Sequence, residues 1–84
     1  AASDVYKRQA LNGALALAEQ LCAFPQLCMR NDRLSAYEQW DKDLDEALRI
    51  ETAFGLEVIR SGETQAGAAR FTAGKGRHGD FSDL

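Results

Sequence analysis

The stretch DKDLDEALRIETAFGLEVIRSG, residues 41–62, decides the fold because its apolar residues recur with the 3.6-residue period of an α-helix. Asp41 or Asp43 can cap this helix at its positive end, and Gly62 is suited to ending it. The stretch therefore predicts one amphipathic helix. The residues on its apolar face are Leu44, Ala47, Leu48, Phe54, Gly55, Val58 and Ile59.

The flanks of that face indicate what surrounds the helix. Ile50 and Leu56 lie outside the apolar stripe, at positions where a lone amphipathic helix would carry polar residues, so we expect packing on more than one side. Glu51 lies within the stripe. Because a buried carboxylate is normally paired, we expect Glu51 to form an ion pair with Arg30 or Arg33.

Outward from this stretch, the sequence predicts three further helices and no strand, since no segment alternates with a period of two. Residues 10–23 form the first helix, and Pro25 separates it from a second at residues 26–39. Ser61 can cap a last helix at residues 63–73, which Gly74 ends. We therefore predict an all-α fold of about four helices. The apolar face of the first comprises Leu11, Ala14, Leu15, Ala18, Leu21 and Cys22.

Composition excludes several classes of protein. A net charge of −3 argues against a nucleic-acid binder, which needs a surplus of cations, and no apolar run is long enough to span a membrane. Cys22, Cys28 and the single histidine, His78, cannot complete a four-ligand zinc site. We expect both cysteines to be reduced and the protein to be cytoplasmic.

The chain is short for the apolar residues it carries. Its 84 residues allow one small domain, and 45% of them are hydrophobic. A domain of this size buries a modest fraction of its surface, so apolar area left over needs another surface to cover it. This favours a piece of an assembly over a self-contained unit.

The ends of the chain differ from its middle. Residues 4–9, DVYKRQ, reverse-translate into the end sequence of a transposon-based sequencing adaptor. We therefore expect residues 1–9 to be an adaptor artefact, residues 10–74 to be the helical segment, and residues 75–84 to be a glycine-rich basic tail without regular structure.

The tail contains the pattern Gly-x-Gly-x-x-Gly in GKGRHG, residues 74–79. A dinucleotide-binding loop follows a strand and opens a helix, whereas this pattern follows a predicted helix close to the end of the given sequence. The cations Lys75, Arg77 and His78, joined by Arg70, either are solvated or meet an anionic ligand or a neighbouring subunit. We expect no catalytic residue here, because one histidine and no second oriented acid or base make an active site improbable.

The order of these features resembles the C-terminal end of the crotonase superfamily, the enoyl-CoA hydratase/isomerase proteins. The resemblance covers residues 10–81 and rests on ALAEQLCAFPQLCMRNDRLSAYEQW (16–40) and EALRIETAFGLEVIRSGETQAGAARFTAGKGRHGDF (46–81). Its strongest parts are SGE, GAARF and the closing GKGRHGDF. The last departs from the family's usual basic ending by being richer in glycine.

The resemblance implies a parent enzyme whose catalytic core, with its oxyanion hole and glutamates, lies upstream. The terminal helices would then build a trimer or hexamer and cover an active site that acts on coenzyme A thioesters in fatty acid metabolism. Phe71, Lys75 and Arg77 match positions near the acyl-CoA, so we expect them to contact it. The alternative is a free-standing helical adaptor that homo-oligomerises and catalyses nothing.

Overall fold

The computed structural model describes residues 2–84 and contains four α-helices in that range: α1 (Ala2–Cys22), α2 (Gln26–Glu38), α3 (Leu44–Ser61) and α4 (Glu63–Thr72). A short 3₁₀ turn, Arg77–Gly79, follows them. The described residues form no strand. The predicted all-α fold of about four helices is confirmed.

The ends of α3 follow the capping residues in the sequence. Of the two candidate caps, Asp43 begins the helix: its extended backbone lets Oδ1 accept a 2.8 Å hydrogen bond from the Glu46 N–H. Asp41 lies in the preceding turn. Gly62 ends the helix with φ at +88°, a left-handed conformation that glycine adopts at little cost.

Helix α1 begins at Ala2 rather than at the predicted residue 10. Residues 2–9 contain no glycine or proline to interrupt the helix, and Asp4 in the first turn suits its positive end. Helical geometry does not bear on how these residues are encoded, so their origin in an adaptor stays a prediction.

Helices α2, α3 and α4 pack together, and α3 contacts both of the others. The more buried side of α3 includes Ala47, Ile50, Phe54 and Val58, of which only Val58 is fully buried. The packed side is therefore rotated toward Ile50, for which the sequence predicts a position on the flank. Four members of the predicted apolar face are exposed: Leu44, Leu48, Gly55 and Ile59.

Helix α1 extends away from the other three helices. All of its residues from Ser3 to Cys22 are exposed. The resulting shape measures 53 × 40 × 21 Å, with a radius of gyration of 17.3 Å. A compact domain of this length has a radius of about 12 Å, so the described chain is open rather than globular.

The prediction that Glu51 forms an ion pair with Arg30 or Arg33 is wrong. Glu51 is exposed, and in the described part of the chain it makes no ion pair with Arg30 or Arg33. The Arg33 guanidinium instead lies 5.2 Å from the centre of the Tyr37 ring, a cation–π distance. Glu51 faces the open space between α2 and α3. Water can therefore solvate its carboxylate, and the charge needs no cationic partner.

None of the helices in the described residues combines the length and the apolar character that crossing a membrane requires.

Candidate functional site

The sequence-predicted contacts Phe71, Lys75 and Arg77 lie at one corner of the molecule, where α4 ends. Phe71 is in the last turn of α4, and Gly74, with φ at +100°, turns the chain toward Lys75 and Arg77. A shallow groove of about 210 Å³ opens at this corner. Its lining is mostly apolar: Phe24, Pro25, Gly67, Arg70, Phe71, Lys75, Gly76, Phe81 and Leu84.

Arg77 has a structural role at this corner. Its Nε and Nη2 donate 3.1 Å hydrogen bonds to the carbonyl oxygens of Phe71 and Thr72. Its guanidinium lies 5.4 Å from the centre of the Phe71 ring. The last carbonyls of a helix lack partners within the helix, and a cation there also suits the helix dipole. Arg77 therefore caps α4, and only Phe71 and Lys75 of the three predicted contacts line the groove.

Two cations border the groove. Lys75 is exposed and its side chain has no partner in the described chain, while Arg70 is half-buried and lines the same groove. The Lys75 N–H donates to the carbonyl oxygen of Arg70 at 3.0 Å, which keeps the two residues adjacent. An apolar floor beside two cations suits a ligand that has an apolar part and a negative charge.

The tail is more ordered than predicted, because it folds back against the connection between α1 and α2. The rings of Phe81 and Phe24 meet edge to face with centroids 5.0 Å apart. The Gly76 N–H donates to Asp83 Oδ1 at 3.1 Å. A side chain at Gly76 would approach Leu84 within 3.3 Å and would be strained at a φ of +71°. Four of these residues line the groove: Phe24, Gly76, Phe81 and Leu84.

A smaller turn ends the tail. Asp80 Oδ1 accepts hydrogen bonds from the Ser82 hydroxyl at 2.7 Å and from the Ser82 N–H at 3.0 Å. Both bonds favour the charged carboxylate, so they lower the pKa of Asp80 below its ordinary value.

Glu63 has a capping role that the sequence did not predict. Its Oε1 and Oε2 accept hydrogen bonds from the N–H groups of Leu27 at 3.0 Å and Cys28 at 2.8 Å. Helix α2 follows Pro25, which provides no side-chain cap, so Glu63 satisfies its first N–H groups from another helix. The absence of a local side-chain cap at the start of α2 was the signal that could have suggested a hydrogen-bond acceptor from a distant part of the chain.

Asn31 is a second residue that the sequence reading missed. It is 5% exposed, and its Nδ2 donates to the carbonyl oxygen of Phe54 at 3.1 Å and to Glu57 Oε2 at 3.2 Å. Both acceptors belong to α3, so the bonds fix α2 against it. An asparagine within an otherwise apolar helix face was the available signal.

Cys28 lies beside the carboxylates of Asp32 and Glu63. Partial burial raises the pKa of the Cys28 thiol above its ordinary value, and the negative charges of Asp32 and Glu63 raise it further. Its Sγ is 3.9 Å from Asp32 Oδ2. The thiol is therefore a poor nucleophile at neutral pH.

Among the described residues, no three histidine, cysteine, aspartate or glutamate side chains are grouped so that they could hold a metal ion. The groove at the end of α4 is the candidate ligand site, because it combines apolar residues with the cations Arg70 and Lys75.

Comparisons of the chain with protein-family models, with curated proteins and with solved structures gave no match.

Proposed function

We propose that residues 10–74 are the C-terminal helical segment of an enoyl-CoA hydratase or isomerase of the crotonase superfamily, with residues 75–84 as its basic tail. The catalytic core would lie upstream, and the helices would help to form a trimer or hexamer and cover an active site. The parent enzyme would act on coenzyme A thioesters in the cytoplasm. The given chain would catalyse nothing by itself.

The observation that carries this proposal is the apolar surface left open by the helices. Among residues 3–84, Val58 is the one apolar side chain that is buried. Leu44 is 72% exposed and Phe71 is 58% exposed. Apolar area of this extent favours burial against another surface, which the missing core and neighbouring subunits would provide.

The groove at the end of α4 supports the proposed ligand class. Coenzyme A thioesters combine phosphate groups with an apolar acyl chain, and the groove combines Lys75 and Arg70 with an apolar floor. Lys75 is the better candidate for a phosphate contact, because the hydrogen bonds of Arg77 to α4 already use two of its donor groups.

The reading frame upstream of residue 10 tests the proposal most directly. We expect an uninterrupted frame that encodes repeated ββα units and a glycine-rich loop, with natural codons in place of DVYKRQ. A start codon immediately before residue 10 would contradict the proposal, as would a natural gene that encodes DVYKRQ and no such core.

A substitution in the parent enzyme tests the ligand contact. We expect Lys75→Ala to raise KM for an enoyl-CoA about tenfold, equivalent to about 1.4 kcal/mol, while kcat changes little. Such a result indicates the loss of uniform binding. Arg49→Ala, at an exposed position on α3, is the control and should leave KM unchanged. An unchanged KM in the Lys75 variant would remove Lys75 from the site.

The exposure of α1 along its length favours a second candidate, a helical adaptor that homo-oligomerises without catalysis. An independent small gene with its own start codon would be the expected context for this function. The same DNA sequence therefore distinguishes the two candidates.

A further inference from the structure

A cleft of about 390 Å³ lies between α2 and α3. It is separate from the groove at the end of α4, because the two share no lining residue. Two leucines of α3 leave much of their apolar surface uncovered here: Leu44 is 72% exposed and Leu48 is 49% exposed. Helix α2 and the residue that follows it contribute Asp32, Ser35, Ala36 and Gln39 to the lining, and α3 contributes Leu44, Ala47, Leu48 and Glu51.

The lining residues of each helix have the spacing of a helix-packing face. On both walls of the cleft they occur at positions i, i+3, i+4 and i+7, a spacing that brings side chains to one side of a helix. Each face is about 10 Å long. Two such faces side by side can accept the side chains of a third helix between their own. The shape of the cleft therefore suits a helical occupant at least two turns long.

The two walls bring carboxylates to one end of the cleft. The hydrogen bonds of Asn31 join the first half of α2 to the second half of α3, so the two faces run in opposite directions and Asp32 lies at the same end as Glu51. Neither carboxylate forms an ion pair within residues 3–84, and the described lining contains no lysine or arginine. From the start of α2 to the end of α3 the chain carries eight acidic and five basic residues, so the surroundings add to the negative charge.

A helix that covers the apolar part of the cleft also removes water from these carboxylates. In the free chain water solvates them, and burying a charge without a partner is costly. An occupant with a lysine or arginine at this end replaces the lost water with an ion pair, whereas a neutral or acidic helix leaves the charges uncompensated. The cleft therefore favours one class of helix by charge as well as by apolar contact.

We propose that this cleft is an interaction surface for a helix of a partner protein that carries aliphatic residues and, about two turns further along the same face, lysine or arginine. The aliphatic residues lie against Leu44 and Leu48, and the cations lie beside Asp32 and Glu51. This inference goes beyond the proposed function, because it concerns neither the groove at the end of α4 nor an acyl-CoA.

A designed peptide tests the preference for charge. The probe is an alanine- and glutamine-based helix of about 18 residues with the pattern Leu-x-x-Leu-x-x-x-Lys-x-x-Lys, and its control has glutamate in place of both lysines. We expect fluorescence anisotropy at low salt to show that the 84-residue chain binds the lysine peptide at least about tenfold more tightly than the glutamate peptide. Equal affinities, or no binding of the lysine peptide up to about 1 mM, would overturn the proposal.

Matched double substitutions test whether the cleft supplies the negative charge. Asp32→Asn combined with Glu51→Gln should weaken binding of the lysine peptide about tenfold. Glu38→Gln combined with Asp45→Asn is the control, since it changes the net charge equally at exposed positions that do not line the cleft, and it should change the affinity little. Circular dichroism checks that both variants retain their helix content. Equal weakening by the two pairs would mean a general attraction to an acidic chain and would exclude the cleft.

Methyl resonances locate the bound peptide. We expect the largest chemical-shift changes at Leu44 and Leu48, and Leu48→Ala should weaken binding about tenfold. Leu56→Ala, at an exposed position of the same helix outside the cleft, should change the affinity little. Shifts confined to α1 or to the groove at the end of α4 would refute the assigned surface. The reading-frame test of the proposed function has a separate outcome, so either can fail without the other.

Discussion

Glu63 links the beginnings of two helices through one side chain. It is the first residue of α4, and its carboxylate accepts hydrogen bonds from two N–H groups at the start of α2. Charge-assisted hydrogen bonds of this kind are stronger than neutral ones, and they join residues 36 and 35 positions apart in the chain. Glu63 therefore holds α2 and α4 in place without a large apolar core.

Removing the Glu63 carboxylate should loosen the start of α2. We expect Glu63→Ala to speed amide hydrogen exchange at Leu27 and Cys28 about tenfold, because each loses its acceptor and the local opening free energy falls by about 1–2 kcal/mol. Exchange followed by nuclear magnetic resonance measures this. Glu38→Ala, at an exposed position in the same helix, should leave both amides unchanged; equal effects of the two substitutions would exclude the cap.

The thiol of Cys28 should respond to its neighbouring carboxylate. Asp32 raises the pKa of Cys28 because its negative charge disfavours the thiolate. Asp32→Asn should therefore lower that pKa and speed alkylation of Cys28 by iodoacetamide at pH about 8, because a larger fraction of the thiol is then ionised. Mass spectrometry of the peptide that contains Cys28 gives the rate. A slower reaction in the Asp32→Asn variant would contradict the assigned cause.

At the scale of elements, local chemistry made the boundaries of three helices predictable. The helix ends at Asp43, Pro25 and Gly62 follow from the backbone conformation that each of these residues favours at its own position. The start of α1 was missed because residues 2–9 contain no glycine or proline that would mark a helix boundary. Glu63 and the buried Asn31 were missed because their partners lie in other helices, which helical periodicity does not reveal.

The cap of α3 can be tested separately from the packing of α3. Asp43→Ala removes the acceptor of the Glu46 N–H and should destabilise the helix by about 1 kcal/mol. Asp43→Asn retains a side-chain oxygen acceptor and should cost much less. Helicity measured by circular dichroism across a urea titration distinguishes the two variants. If both lost helicity to the same extent, the hydrogen bond would not be the stabilising feature.

At the scale of the whole molecule, the sequence predicted surplus apolar area, and the open shape agrees with it. At the end of α4, Phe71 and Lys75 line a groove and Arg77 caps the helix, while the contact of these residues with an acyl-CoA stays a prediction. Sequence could not assign Arg77 to the cap, because that role depends on the left-handed turns at Gly74 and Gly76 that return the chain to α4.

The central claim is that these helices expose more apolar surface than they can bury within one chain. Thermal unfolding of the purified 84-residue chain, followed by circular dichroism at about 5 µM and about 100 µM, tests it most directly, because association makes the midpoint depend on concentration. We predict a broad transition whose midpoint rises with concentration. A sharp transition at the same temperature in both samples, from a chain that sediments as a compact monomer, would contradict the claim.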